Sequence, residues 1–451
     1  MGSEWQVVCV ADLASDRRNA LVGGPFGSNL ISTDYVADGV PVIRGQNMGG
    51  RWLEGPFAFV TSTKAESLAA NLARPRDLVF TQRGTLGQVS LVPPGPYERY
   101  LISQSQMKLT VDERIADPLF FYYLFASDTY QDYFRQHAIQ TGVPHTNLSI
   151  LRDTQVPLPP LGAQRAIARM LGALDDKIEL NRRISQTLES MASALFKSWF
   201  VDFDPVHAKE EHRETHLSEV VSSAFPSSFE PSELGLAPSG WPAVSLGDLC
   251  RRVAMGPFGS DITVDNFTDS GVPVVRGNNL KDGFLDDAFA FVSPAKADQL
   301  RNANAFPEDI IVTHRGTLGQ VGFIPMASRH PRYVVSQSQM LVSVDGARAI
   351  AEYVYQYLRS TVGLQALLAN VSQTGVPAIA RPTTSLRAMR LLAPPLRVQE
   401  AFGSIAGPAM TRLAANMHES QSLTLIRARL LEHLLSPSAT SERPLPAASV
   451  R

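Results

Sequence analysis

The sequence predicts an α+β protein built from two tandem, pseudo-symmetric domains of mixed α/β character, each feeding a long coiled-coil-like helix. Three observations carry this. The seven residues RGTLGQV occur at 83–89 and again at 315–321, 232 positions apart. Short β-branched runs bounded by Gly and Pro open each copy. Each copy closes on a long run whose apolar residues recur at helical spacing.

The same offset relates more than one loop. GVPVIRGQN (39–47) faces GVPVVRGNN (271–279), FAFV (57–60) faces FAFV (289–292), and GPFGS at 24–28 returns at 256–260. Beyond the arginine loop the offset drifts by a residue or two. SQSQM (103–107) returns at 336–340, TGVP (141–144) at 374–377, and PPLGAQ (159–164) faces PPLRVQ (394–399). Drift of this kind is what loop insertions leave between two copies of one domain, and the unit is far longer than a solenoid repeat.

The runs VPVIRG, DLVFTQRG, VSLVP and MKLTVD read as strands with tight turns. PLFFYYLFASDTYQDYFRQH then reads as helical, ahead of a 39-residue helix over 162–200. In that helix Ile167, Leu171, Leu174 and Ile178 form a stripe that resumes at Ile184, Leu188, Met191 and Leu195 after a phase slip around Asn181. A matching stripe in the second copy runs through Phe402, Ile405, Ala409, Leu413 and Met417, then Leu423, Ile426, Leu430 and Leu434, with a kink expected at Gly407-Pro408. These readings divide the chain into a first domain (1–158), a central helical spacer (159–206) and a linker (207–240) rich in charge, Ser and Pro. A second domain (241–393), a distal helical spacer (394–436) and a disordered tail (437–451) follow.

With 451 residues and 44% hydrophobic content, both halves can bury ordinary cores. Two cysteines make neither a disulfide framework nor a metal quartet, which suggests a reducing cytoplasm. The N-terminus lacks a basic region followed by an apolar run, and no 18-residue apolar stretch suggests a membrane span. A net charge of −2 requires any nucleic-acid surface to be local or shared with a basic partner. No phosphate-binding GxxxxGK[ST], zinc HExxH or paired CxxC is present, and VPPGPY (92–97) does not fit the base-gripping motif of amino-methyltransferases. His207, His212 and His216 lie in the linker, where a metal site is the less economical reading. No catalytic constellation emerges.

What the repeat does carry is planar hydrogen-bonding side chains beside turn glycines. These are Arg44, Asn47, Arg83, Gln104 and Gln106 in the first copy, and Arg276, Asn279, Arg315, Gln337 and Gln339 in the second. Arg pairs with phosphate or guanine, Asn and Gln pair with adenine, and adjacent glycines let the backbone approach a phosphate. Residues shared by both copies, including Thr141 and Thr374, either position phosphates or hold the fold, because base specificity should differ between copies. The differing pairs are the candidate base readers: Gln82 against His314, Gln46 against Asn278, His145 against Ala378, and ERYL (98–101) against PRYV (331–334).

The segment LDDKIELNRRISQTLESMASALFKSWFVDFDPV (174–206) closely resembles the central region of specificity subunits of type I restriction-modification systems. So do PPLGAQRAIARML, repeated as PPLRVQEAFGSI, and ELGLAPSGWPAVSLGDL (233–249). The resemblance spans residue 5 to about 436, although SEWQVVCVADL lacks the Pro-x-Gly-Trp lead-in. It implies two target recognition domains held apart by two antiparallel helices, each domain binding half of a split sequence in double-stranded DNA. It further implies two modification subunits docked on the helices, which bind S-adenosylmethionine and methylate adenine, and restriction subunits using ATP and Mg. The chain itself would be non-catalytic and hold no cofactor or metal. A 39-residue helix is about 58 Å long against about 34–36 Å for one DNA turn, enough to space two readers. The alternatives are a stand-alone DNA methyltransferase or nuclease, and the same scaffold in a related defence system.

Overall fold

The β-branched runs are strands, and they are buried on both faces: Val40–Ile43 and Leu78–Thr81 read as nearly continuous apolar stretches, while Val89–Leu91 and Gln106–Leu109 bury Ser90, Gln106 and Lys108 as well. A computed structural model describes residues 5–139, 144–280, 283–284, 286–372 and 375–435. In the first copy Tyr35–Val36, Ala58–Val60, Val40–Ile43, Tyr100–Ile102 and Leu72–Ala73 form a five-stranded sheet in that order. A four-stranded sheet is ordered Leu21–Gly23, Gln106–Leu109, Leu78–Thr81, Val89–Leu91. The second copy repeats both sheets strand for strand, as Phe267–Thr268, Ala290–Val292, Val272–Val275, Tyr333–Val335, Asn304–Ala305 and Cys250–Met255, Gln339–Val344, Ile310–Thr313, Val321–Phe323. Even the parallel strand pairing inside the five-stranded sheet recurs: Val42 opposes Leu101, and Val274 opposes Val334. The duplication thus extends from sequence to hydrogen-bond register.

The chain divides into two compact units, one of residues 1–177 with 422–451 and the other of 178–421. The division cuts both long helices, the central one (Leu161–Phe200) and the distal one (Leu396–Leu435). Each unit therefore holds one copy and a stretch of each helix.

In the first unit, the expected helical stretch is two helices, Pro118–Ala126 and Asp128–Gln136. Asp117 caps the first through Leu119 N and Phe120 N, with Pro118 in its first turn, and Ser127 ends it in extended conformation. Ser360 makes the same break in the second unit. The joint from domain to helix is also duplicated. Gln164 is fully buried, accepting from Asp117 N (2.8 Å) and donating to Ile115 O (2.9 Å) and Pro159 O (2.7 Å). Gln399 accepts from Ile350 N (3.1 Å) and donates to Pro394 O (2.8 Å). The repeated PPLxxQ is thus a buried bracket that fixes the helix to the domain preceding it.

Within the second unit the helices run antiparallel, and the seam carries a polar device. Asn181 donates to Glu419 Oε2 (2.9 Å) and Ser420 Oγ (3.4 Å), while Asn416 donates to Ser185 Oγ (3.3 Å). Each helix thus presents an Asn and, four residues on, a Ser, paired reciprocally. Such buried amides specify alignment, because sliding either helix strands them unpaired. In the first unit Arg427 pairs with Asp175, and Leu430 and Leu431 pack against the core.

The stripes hold in part. Leu171 and Phe402 are buried and most other stripe residues are half-buried, but Met191, Ile405 and Ile426 are exposed, the first of them 62%. The buried positions also include Ala168, Ala192, Phe196 and Trp199 on the central helix and Ala406, Met410 and Ala414 on the distal one. The distal helix continues unbroken through Pro408.

Segment 207–240, expected as a linker, is structured. The helix Asp204–Glu210, the helix Glu219–Ala224 and the hairpin Phe229–Ser232/Gly235–Pro238 occupy it. Val206, Ala224 and Phe225 join Trp199, Phe200, Trp241 and Phe402 in the second unit's core. Its apolar residues are too widely spaced to show a period, yet Leu217, Val221, Ala224, Phe225 and Phe229 pack on that core. The tail 437–451 lies outside the described residues.

Candidate functional site

RGTLGQV is the loop of a β-hairpin in each unit. Thr81 N donates to Gln88 O and Thr313 N to Gln320 O, both at 3.0 Å, closing the two hairpins identically. Between them Gly84 (φ +100°) and Gly87 (φ +85°) sit in left-handed conformation, as do Gly316 (+95°) and Gly319 (+86°), so the turn requires glycine at both places. This geometry leaves Arg83 and Arg315 exposed. Among the described residues neither guanidinium has a carboxylate partner, so the turn is not an arginine buried against an acid.

In the second unit Arg315 borders a groove of about 940 Å³, into which Arg276, Asn278 and Gln337 also face. The lining carries two arginines and no carboxylate, so its charge is positive although the chain is slightly acidic. Four repeated segments meet here: the GPFGS loop, the RGNN turn, the hairpin loop and the SQSQ turn. GPFGS is held against SQSQ by close approach, because a Cβ on Gly256 would lie 1.9 Å from Ser336 O. Gly24 has the same relation to Ser103 O, at 2.0 Å, in the first unit. Beside it Gln104, like Gln337, is exposed.

Several expected contact residues instead belong to the fold. Asn47 and Asn279 are each 1% exposed. Asn47 Oδ1 accepts from Arg44 N (3.0 Å) and its amide donates to Glu54 O (2.8 Å) and Pro56 O (3.0 Å). Asn279 does the same with Arg276 N (3.0 Å) and Asp287 O (2.5 Å). Gln106 and Gln339 are buried, accepting from Ser103 Oγ and Ser336 Oγ respectively. His314 is buried with Nε2 3.0 Å from Gln337 O, and burial holds its pKa below the ordinary value, which keeps the imidazole neutral. It shapes the SQSQ turn and does not reach the surface. ERYL and PRYV enter buried strands, while Arg99 pairs with Glu66 and Arg332 with Asp298 (2.6 Å).

The remaining candidates are intermediate. Arg44 is half-buried with Nε unpaired, Gln46 is exposed with its amide 3.5 Å from Pro56 O, and Gln82 is half-buried. His145 bridges to Ile139 and Arg83 along the backbone, beside the hairpin loop, as Ala378 bridges to Arg315. Thr141 and Thr374 lie outside the described residues. Sequence reasoning missed Thr317, Ser338 and Phe258, which also line the groove. The signal for Phe258 was available, since an aromatic between Pro and Gly in a repeated turn has nowhere to bury. Among the described residues no group of three or more His, Cys, Asp or Glu is placed to hold a metal, and no helix is long and apolar enough to cross a membrane.

Residues 3–190 match the family described as the Type I restriction modification DNA specificity domain. The HindI specificity subunit of Haemophilus influenzae is 24% identical over 75% of this chain and 81% of its own length. The MjaIX specificity subunit of Methanocaldococcus jannaschii is 22% identical over 96% of this chain and 93% of its own. The chain is thus similar, over most of its length, to type I restriction-modification specificity subunits. The fold of such a subunit is shared as well: the crystal structure of the S subunit from M. genitalium superposes with a TM-score of 0.59 at 16% identity, covering 96% of each chain. The specificity-subunit resemblance drawn from residues 174–206 is therefore borne out, as are the mixed α+β class and the two long helices.

Proposed function

We propose that each copy binds one half of a bipartite target in double-stranded DNA, and that the chain thereby directs adenine methylation and ATP-dependent restriction by partner subunits. The observation that carries this is the acid-free groove where Arg276, Arg315, Asn278 and Gln337 converge, on a scaffold that the chain builds twice. In this reading Arg83 and Arg315 hold phosphates, while Gln46 and Asn278, which differ between copies, read bases. Modification subunits carrying S-adenosylmethionine dock on the outer helix faces, where Leu180, Met191 and Ile405 are exposed, and restriction subunits supply the ATP and Mg chemistry. The chain acts in the cytoplasm and is itself non-catalytic.

Two measurements test this. Purified chain given labelled S-adenosylmethionine and DNA transfers no methyl group until modification subunits are added; transfer by the chain alone contradicts the reading. In the assembled complex Arg83→Ala and Arg315→Ala each weaken binding about equally for all sequences, and each flattens the slope of log affinity against log salt by about one unit. An unchanged slope in a folded variant removes these arginines from the interface.

A further inference from the structure

The GPFGS loop has a feature that phosphate binding does not use. Phe26 is 83% exposed and Phe258 is 79% exposed, at the same place in the two copies. Single exposed apolar residues are ordinary on protein surfaces. This one is built twice, on a turn that holds it out. Pro precedes it and Gly follows it, and the glycine before the Pro is pressed against the SQSQ backbone. Phe258 N donates to Asp261 Oδ2 (3.1 Å) and Asp261 N donates back to Phe258 O (2.8 Å). In the first unit Asn29 N donates to Phe26 O (2.8 Å). The backbone is fixed while the ring stands in solvent.

Phe258 lines the same groove as Arg276, Arg315 and Gln337. A polyanion drawn to those arginines meets the ring, whereas an apolar protein surface would have to desolvate two guanidiniums that have no carboxylate partner among the described residues. We infer that Phe26 and Phe258 are wedges that enter the DNA duplex between base steps, one in each half-site, independently of sequence. This rests on the reading that both copies bind duplex DNA. Sequence independence follows from the repeat: domains differing at Gln46 and Asn278 have no use for the same base-specific contact at the same point. A contact that opens a base stack suits any sequence, and phenylalanine serves this purpose where proteins kink DNA. A wedge also supplies readout through deformability, at steps that no polar side chain touches.

The test uses the complex assembled with modification subunits and a duplex carrying its methylated motif, with 2-aminopurine placed at successive positions of each half-site. That base brightens when its stack opens. With the unaltered chain, one position in each half-site brightens on binding. Phe258→Leu, which keeps an apolar wedge, retains the signal in the second half-site, and Phe258→Ala loses it. The alanine variant binds about 10- to 100-fold more weakly, the affinity expected for burying one such side chain, and methylates the same motif. Phe26→Ala does likewise in the first half-site only. Several results overturn the wedge: no brightening with the unaltered chain, undiminished affinity in Phe258→Ala, a changed base in the motif (a base reader), or failure to assemble with modification subunits (a protein contact). An unaltered complex that binds no duplex at all overturns the functional reading, and the wedge with it.

Discussion

Replacing Asp286 with alanine lowers the melting transition of the second unit by roughly 6–12 °C, from a loss on the order of 3 kcal/mol at about 2–4 °C per kcal/mol for a unit of this size. The Asp286 carboxylate is fully buried and gathers three donors: Arg329 N (2.7 Å), the Tyr333 hydroxyl (2.8 Å) and His418 Nε2 (3.0 Å). His418 lies on the distal helix, whereas Tyr333 lies in a central strand that leads to the SQSQ turn. Removing the carboxylate leaves buried donors without an acceptor, which costs more than a hydrogen bond contributes when made. Asp286→Asn keeps one acceptor and loses about 1 kcal/mol. Differential scanning calorimetry of the two variants checks this, and an alanine variant melting with the parent shows that the network is not needed to hold helix and domain together. The first unit solves the same problem with different residues. Arg51 donates to Gly172 O (3.1 Å) and pairs with Asp176, while the Tyr123 hydroxyl donates to Asp175 Oδ2 (2.7 Å).

Which features the sequence disclosed follows from how each is encoded. The duplicated sheets were legible because strand, turn and glycine recur at one offset, and a left-handed Gly84 or a crowded Gly24 leaves no other residue acceptable. The roles of the repeated polar residues were not legible. An Asn beside a turn glycine looks the same whether its amide closes the turn, as Asn47 and Asn279 do, or faces an open groove, as the exposed Asn278 next to it does. Only three-dimensional placement separates neighbours in RGNN. The long helices were evident from apolar spacing, but only part of their buried face was, because buried alanines such as Ala406 and Ala414 count for little in a pattern. The 207–240 segment was misjudged for a related reason: Phe225 and Trp241 act singly, and single anchors leave no period. Gln164 and Gln399 stood out only as repetition, and their bracket role needed the backbone carbonyls that they engage.

The second large effect concerns modularity. Each unit has its own sheets, core and helix bracket, so the bracket at Gln164 marks where the first domain can be exchanged without disturbing the helix that follows. If the proposed function holds, substituting residues 1–158 by the equivalent domain of a type I specificity subunit replaces the bases read by the first copy and leaves the groove around Arg276 and Arg315 untouched. Specificity at the exchanged half changes fully, since good base contacts discriminate by about 1–3 kcal/mol each and several are replaced together.

Methylome sequencing of cells that carry the modification partner with either the original or the exchanged chain measures this directly. The account predicts a two-part methyladenine motif with the original chain, and the same second half joined to a new first half with the exchanged one. A motif that changes in both halves, or one without a gap between two specified parts, would contradict the claim that the two copies read DNA independently.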